Sequence, residues 1–288
     1  TAAAYITKRL TEAGYTVDHA ADGREGLFMA SDSSYDAVIL DRIARRLGAD
    51  PLAVRRANFY GTASPNVPPS GQVVEDSRLG AALDDEAAVA ALPQPPAEGS
   101  IGAQADLEAV LQAQAWRSDA DAAWARAVDR QTAFLLAPAL DRPFAPGSLP
   151  RVEALLLVLK RDIHAASSLA KRRFQRTRPY RLDPRVKPCV ELPSASSFSY
   201  PSGHSLQAFT WAQVLGEVFP ERHEALLERA HRMAWGRILG GVHFPSDVVG
   251  GRLLAERLLE ALRRSPAFRE AVAACRREAE ALALRRAG

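Results

Sequence analysis

SYPSGHSLQAFTWAQVLGEVF (residues 199–219) sets Pro201, Ser202, Gly203 and His204 directly before a long apolar run. The run reads as a helix, and the four residues before it as that helix's entry. Free backbone N–H groups at a helix start point toward any anion placed there. Gly203 lets a ligand come close to the backbone. Ser202 adds a hydroxyl, and His204 adds a group that gains or loses a proton near neutral pH. An ordinary explanation competes: Ser202 as a plain N-cap and His204 as a packed or solvated ring.

Two further stretches bear on that choice. KRRFQRTRP (171–179) places Lys171 and Arg178 seven apart, which predicts that both stand on one face at the end of a helix stopped by Pro179. Two fixed cations suit a phosphate, although a basic run is commonly just a solvated face. GRILGGVHFPSD (236–247) places Arg237 near a helix end, His243 before the Pro245 that opens the next helix, and Asp247 four residues after His243. A carboxylate at that spacing can orient an imidazole and leave its other nitrogen nucleophilic. Asp247 as a cap beside a structural histidine is the plainer reading.

The rest of the chain supports a helical setting. From Asp106 onward the spacing is helical almost throughout, with Leu107, Val110 and Leu111 on one face. Ser118 is a candidate N-cap, and Ser265 before Pro266 is another. Gly240 and Gly241 read as a helix stop. No convincing strand follows residue 100, so the fold expected is mainly α, a helical bundle. LPQPPAEGSIGAQ (92–104) reads as a linker or extended lead-in.

Composition is that of a packed chain: 288 residues, 47% hydrophobic, 25% charged, net charge +3. A sizeable core is expected, and a polyanion partner such as nucleic acid is not. Cys189 and Cys275 have no metal-ligand spacing, and two lone thiols are the plainer reading over a disulfide. No stretch approaches the roughly 18 apolar residues of a membrane span. No export-signal pattern follows Thr1.

The three motifs, taken in order, resemble the signature of the superfamily that unites type 2 phosphatidic acid phosphatases, bacterial class A acid phosphatases and vanadium haloperoxidases. The resemblance spans about residues 95–285. It implies a metal-independent acid phosphatase acting on phosphomonoesters through a phosphohistidine. His243 would be the nucleophile, Asp247 its orienting partner, and His204 the proton donor that later activates water. Lys171, Arg178, Arg237, Ser202 and Gly203 would hold the phosphoryl oxygens. No metal or cofactor is implied, and vanadate enters as an inhibitor. In a haloperoxidase the same residues would hold vanadate as cofactor, but those enzymes are commonly much longer. Gly236 departs from the serine that often precedes the third-motif arginine. The two histidines are expected to have separated pKa values, favouring activity on the acidic side. The family's soluble phosphatases are usually periplasmic, and that is the expected compartment. A homo-oligomer is left open.

The first 91 residues read differently. Residues 1–41 alternate helix and strand and resemble a truncated response-regulator receiver, with Asp41 where that family carries its phosphoacceptor. The acidic pair and the later lysine of that family are missing, so a signalling fragment is the weaker reading. Residues 42–84 resemble a fragment of a xanthine dehydrogenase molybdenum subunit. The expected organisation is a receiver-like piece (1–41), a dehydrogenase-like piece with linker (42–91) and a helical phosphatase domain (92–288), with a chimeric N-terminus.

Overall fold

The computed structural model describes residues 85–287 apart from positions 143 and 195. The receiver-like stretch with Asp41 and the dehydrogenase-like stretch lie outside the described residues. Among the described residues there is no strand, so the expected mainly α fold is what these residues form.

Two short helices and two longer ones come first: α1 (Asp85–Ala90), α2 (Ile101–Trp116), α3 (Asp119–Asp129) and, after a 3-10 turn at Ala133–Leu136, α4 (Ala137–Leu140). The long α5 (Pro150–Phe174) and the single turn α6 (Pro179–Leu182) follow. The C-terminal part is α7 (Gly203–Val218), a 3-10 turn at Pro220–Arg222, α8 (His223–Leu239), α9 (Pro245–Arg264) and α10 (Pro266–Ala287).

Local chemistry sets most boundaries. Ser118 caps α3 in a reciprocal capping box with Asp121. Ser265 Oγ accepts from the Phe268 N–H in the first turn of α10. Gly241, at φ 73°, closes the end of α8 as its glycine pair predicts. The lead-in is shorter than its composition suggests: Ser100 accepts from the Ala103 N–H and starts α2 at Ile101. Glu278 on α10 accepts from the backbone N–H groups of Arg151 and Val152, so the N-terminus of α5 is capped by another helix.

One helix boundary corrects the sequence reading. Lys171 and Arg178 do not share a helix. The α5 helix stops at Phe174 because Gln175 turns left-handed, at φ 46°, and gives its N–H to the Lys171 carbonyl. Arg178 sits beyond that break as the residue that opens α6. The seven-residue spacing therefore joins a helix end to a loop, and the loop brings the guanidinium inward.

The α7 helix is the centre of the fold. It is buried along nearly its whole length and packs against α5, α8, α9 and α10. A helix apolar on every side has nowhere else to go. Its polar residues are satisfied inside: Thr210 Oγ1 donates to the Leu206 carbonyl and Gln207 Nε2 to the Gln131 carbonyl. The main core extends from this helix to Val89 and Leu92 near the start of the described region. Tyr200 ties the two together by donating its hydroxyl to the Pro93 carbonyl over 2.8 Å.

The α9 helix presses its Gly250–Gly251 pair against the 199–206 segment. A Cβ at Gly251 would stand 2.5 Å from the Ser202 carbonyl oxygen and 2.9 Å from Ser205 Cβ. The neighbours are backbone and buried side chain, which cannot swing aside. Gly251→Ala should cost about 1–3 kcal/mol of stability by overpacking, read as a lower midpoint in urea unfolding. An unchanged midpoint would mean that the two segments are not tightly clamped.

Candidate active site

Three stretches of chain converge where α7 begins. The last turn of α5 and the loop after it bring Lys171, Arg176 and Arg178. The 196–204 segment brings Ser197, Ser199, Ser202, Gly203 and His204. The end of α8 and start of α9 bring Arg237, His243 and Asp247. These include every residue that the three motifs single out.

His243 is buried, and its tautomer follows from its neighbours. Nδ1 lies 3.2 Å from Asp247 Oδ2, and Nε2 lies 3.3 Å from Arg178 Nη1. A carboxylate only accepts and a guanidinium only donates. The proton is therefore on Nδ1, and the lone pair on Nε2 faces the cation. Asp247, fully buried, also accepts from the Phe244 N–H at 2.8 Å, from Ser199 Oγ and from Arg176 Nη1 at 2.7 Å.

The cations are held by different means. Arg178 donates to the Val242 carbonyl at 2.8 Å, the Ser197 carbonyl at 3.1 Å and Ser197 Oγ at 2.9 Å. Lys171 Nζ donates to the Phe198 carbonyl. Arg237 gives Nη1 to Asp129 Oδ1 at 2.6 Å, while its buried Nε has no hydrogen-bond partner among the described residues. His204 Nε2 lies 3.0 Å from the Gln131 amide nitrogen and 3.6 Å from Asp129 Oδ1. Its side chain keeps 17% exposure and marks the open side of the site.

Ser202 is an N-cap as well as a site residue. Its Oγ accepts from the Ser205 N–H at 3.3 Å and from Ser205 Oγ at 3.0 Å, and neither bond uses its own hydroxyl proton. Gly203 lies close against α5: a Cβ there would stand 2.9 Å from Ser167 Oγ. Gly236, where the resemblance leads one to expect serine, faces α3; its Cβ would stand 3.2 Å from Val128 and 3.3 Å from Trp124 Nε1.

Burial and mutual repulsion govern the charges. Burial, then Arg178, brings Lys171 down to about 7. Burial brings Arg178 down to about 10, so it stays charged at neutral pH. His204 is pushed well below the usual imidazole range by burial, then by Arg237 and His243. His243 is pushed the same way by burial, then by Arg178, Lys171 and Arg237. Both rings are therefore driven toward the neutral form. Two histidines beside three cations share too little negative charge to favour protonation of either.

Several site residues escaped the sequence reading. Arg176 was one charge in a basic run. Asp129 and Gln131 lie at the end of α3, far from any motif. Ser199 and Ser197 carried no signal beyond lying near PSGH. Asp106 marked only a helical start, yet it is buried and accepts from Arg176 Nη2 at 2.7 Å. No group of three or more His, Cys, Asp or Glu gathers as a metal site among the described residues; the charge that gathers here is positive.

Known proteins similar to this chain fall in one group over its helical region. Residues 154–269 match the family model described as the PAP2 superfamily. A non-specific acid phosphatase of Salmonella typhi is 29% identical over 196 residues, 65% of this chain and 78% of that protein. A non-specific acid phosphatase of Providencia stuartii is 28% identical over 214 residues, 71% of this chain and 86% of that protein. A separate 37-residue match, 54% identical, is to the probable transcriptional regulatory protein SilR of Salmonella typhimurium, covering 13% of this chain and 16% of that protein.

The neutral histidines have a consequence for stability. Their folded values lie below the ordinary 6.5, so the unfolded chain binds more protons as pH falls through that value. Lys171, lowered from 10.5 to about 7, acts in the same direction between those values. The ligand-free protein should therefore lose stability as pH falls from about 7.5 to 5. Urea unfolding across that range should show the loss, and a His204→Asn/His243→Asn variant should show a flatter profile. A wild-type profile no steeper than the variant's would contradict the neutral pair.

Proposed function

We propose, from the match of residues 154–269 to the PAP2 superfamily model, that the helical region is an acid phosphatase that hydrolyses phosphomonoesters through a phosphohistidine. The observation that carries this reading is the His243 ring, held between Asp247 and Arg178 with its Nε2 lone pair directed into a cluster of cations. The acid phosphatase relatives and the unpartnered Nε of Arg237 support it.

The phosphoryl oxygens bind among Lys171, Arg178 and Arg237, with the first-turn amides of α7 and the Ser202 hydroxyl beside them. Nε2 of His243 attacks phosphorus, and the bond from phosphorus to the ester oxygen breaks. The leaving alkoxide takes a proton from His204. Asp247 accepts the hydrogen bond from Nδ1–H throughout and balances the charge on the phosphorylated ring. Water then gives a proton to His204 and its oxygen attacks phosphorus. The N–P bond breaks, phosphate leaves, and the proton that His204 took from water departs with it, so both rings are neutral again. Catalysis of this kind rests on positioning and charge stabilisation, which the cations provide without a metal.

Because burial and the neighbouring charges hold His204 neutral, its proton arrives with the substrate. A bound phosphoryl group offsets Lys171 and Arg237, which hold down the proton affinity of both rings, and Arg178, which acts on His243. Proton uptake on binding reconciles the neutral site with acid-side activity. Vanadate, which mimics the five-coordinate phosphorus, is the expected inhibitor. Periplasmic residence belongs to the same proposal, and fractionation of the source cells tests it.

Hydrolysis of p-nitrophenyl phosphate, measured with EDTA present from acid to neutral pH, tests the reading. Wild type should turn over and be inhibited by vanadate. His243→Ala should lose about 1,000-fold or more in kcat, and His204→Ala about 100- to 10,000-fold. Full activity in His243→Ala, or dependence on an added metal, would overturn the mechanism.

A further inference from the structure

Asp247 orients His243, but what orients Asp247 lies partly outside the three motifs. Its Oδ2 takes the His243, Phe244 and Ser199 donors, and its Oδ1 takes Arg176 Nη1 at 2.7 Å. The same guanidinium donates Nη2 to Asp106 Oδ2 at 2.7 Å and Nη1 to Ser246 Oγ at 2.6 Å. Its plane lies over the Phe244 ring, 4.2 Å from the centroid. Asp106 is fixed in turn, accepting from the Ser246 N–H at 3.1 Å and from Ser246 Oγ. Both carboxylates and the arginine side chain are less than a tenth exposed.

We infer that Arg176 is a positioning residue for the phosphoryl-transfer step, a forked clamp that sets the Asp247 carboxylate against His243 and ties it to Asp106 on α2. The inference rests on the phosphohistidine reading, since it assigns a role to the group behind the nucleophile. A lone buried carboxylate is costly, and two facing each other would be worse. Arg176 supplies a positive charge bonded to both. Its planar fork fixes Oδ1 in direction, so Oδ2 is left to meet Nδ1 of His243. Lysine would keep the charge and lose the fork, because an ammonium is a point charge on a flexible stem. Arg176 touches no reacting atom; it acts through Asp247.

Removing Arg176 alone leaves two buried like charges, so Arg176→Gln is paired with Asp106→Asn/Arg176→Gln, which removes one charge of each sign. Arg176→Lys is the conservative variant. Two readouts are taken: kcat and KM for p-nitrophenyl phosphate, and the 15N-histidine NMR spectrum, in which a protonated Nδ1 of His243 is a distinct hydrogen-bonded signal. The folded double variant should lose about 100-fold in kcat with KM changed little, and the Nδ1–H signal should shift or broaden into a tautomer mixture. Arg176→Lys should recover only part of the rate. A double variant with wild-type kcat and an unaltered Nδ1–H signal would overturn the inference. So would full rescue by lysine, because it would show that charge alone suffices. If the wild type hydrolyses no phosphomonoester, the phosphatase reading fails, and the imidazole signal alone decides the role of Arg176.

Discussion

A fully buried carboxylate has to collect its donors from the protein, and the Asp247 side chain collects four. They come from three separate stretches: Arg176 after α5, Ser199 before α7, and His243 with Phe244 before α9. The main chain of the same residue accepts a fifth, from the Ser202 N–H at 2.9 Å. Satisfying one charge therefore requires α5, α7 and α9 to meet at one point. The Gly250–Gly251 pair makes that meeting close enough, and the central α7 fixes where it occurs. The site and the helical fold are two descriptions of the same constraint.

The cations around that carboxylate are less well satisfied. Lys171 is brought down to about 7, and the Arg237 Nε is buried without a partner among the described residues. Both features suit the anion site proposed here. Functional sites often hold such unfavourable groups, with stability supplied elsewhere. Here the compensation is plain: the apolar surround of α7, the α10 cap on α5 and the reciprocal Ser118–Asp121 box on α3.

Much of this was legible in the sequence because it depends on short-range chemistry. Ser118, Ser265 and Gly241 mark helix ends through local hydrogen bonds and backbone conformation. His243 and Asp247 are four apart on a helix entry, so spacing alone predicted their contact. The departures arise where tertiary structure decides. Lys171 and Arg178 looked like one helical face, but Gln175 breaks the helix between them. The neutral form of both histidines is set the same way: burial, Lys171 and Arg237 act on each ring, and Arg178 acts on His243. Arg176, Asp129 and Asp106 were not found because their partners lie 71, 108 and 70 residues away. No local pattern carries a contact of that range.

The central claim is that Lys171, Arg178 and Arg237 form a phosphoryl site in front of His243 Nε2. A crystal structure with orthovanadate bound at mildly acidic pH tests it most directly. The account predicts vanadium bonded to His243 Nε2 with its equatorial oxygens on those three cations, the Arg237 Nε partnered and the Nδ1–Asp247 contact retained. Vanadate bound elsewhere, or a saturated crystal with the pocket empty and His243 still free, would contradict it.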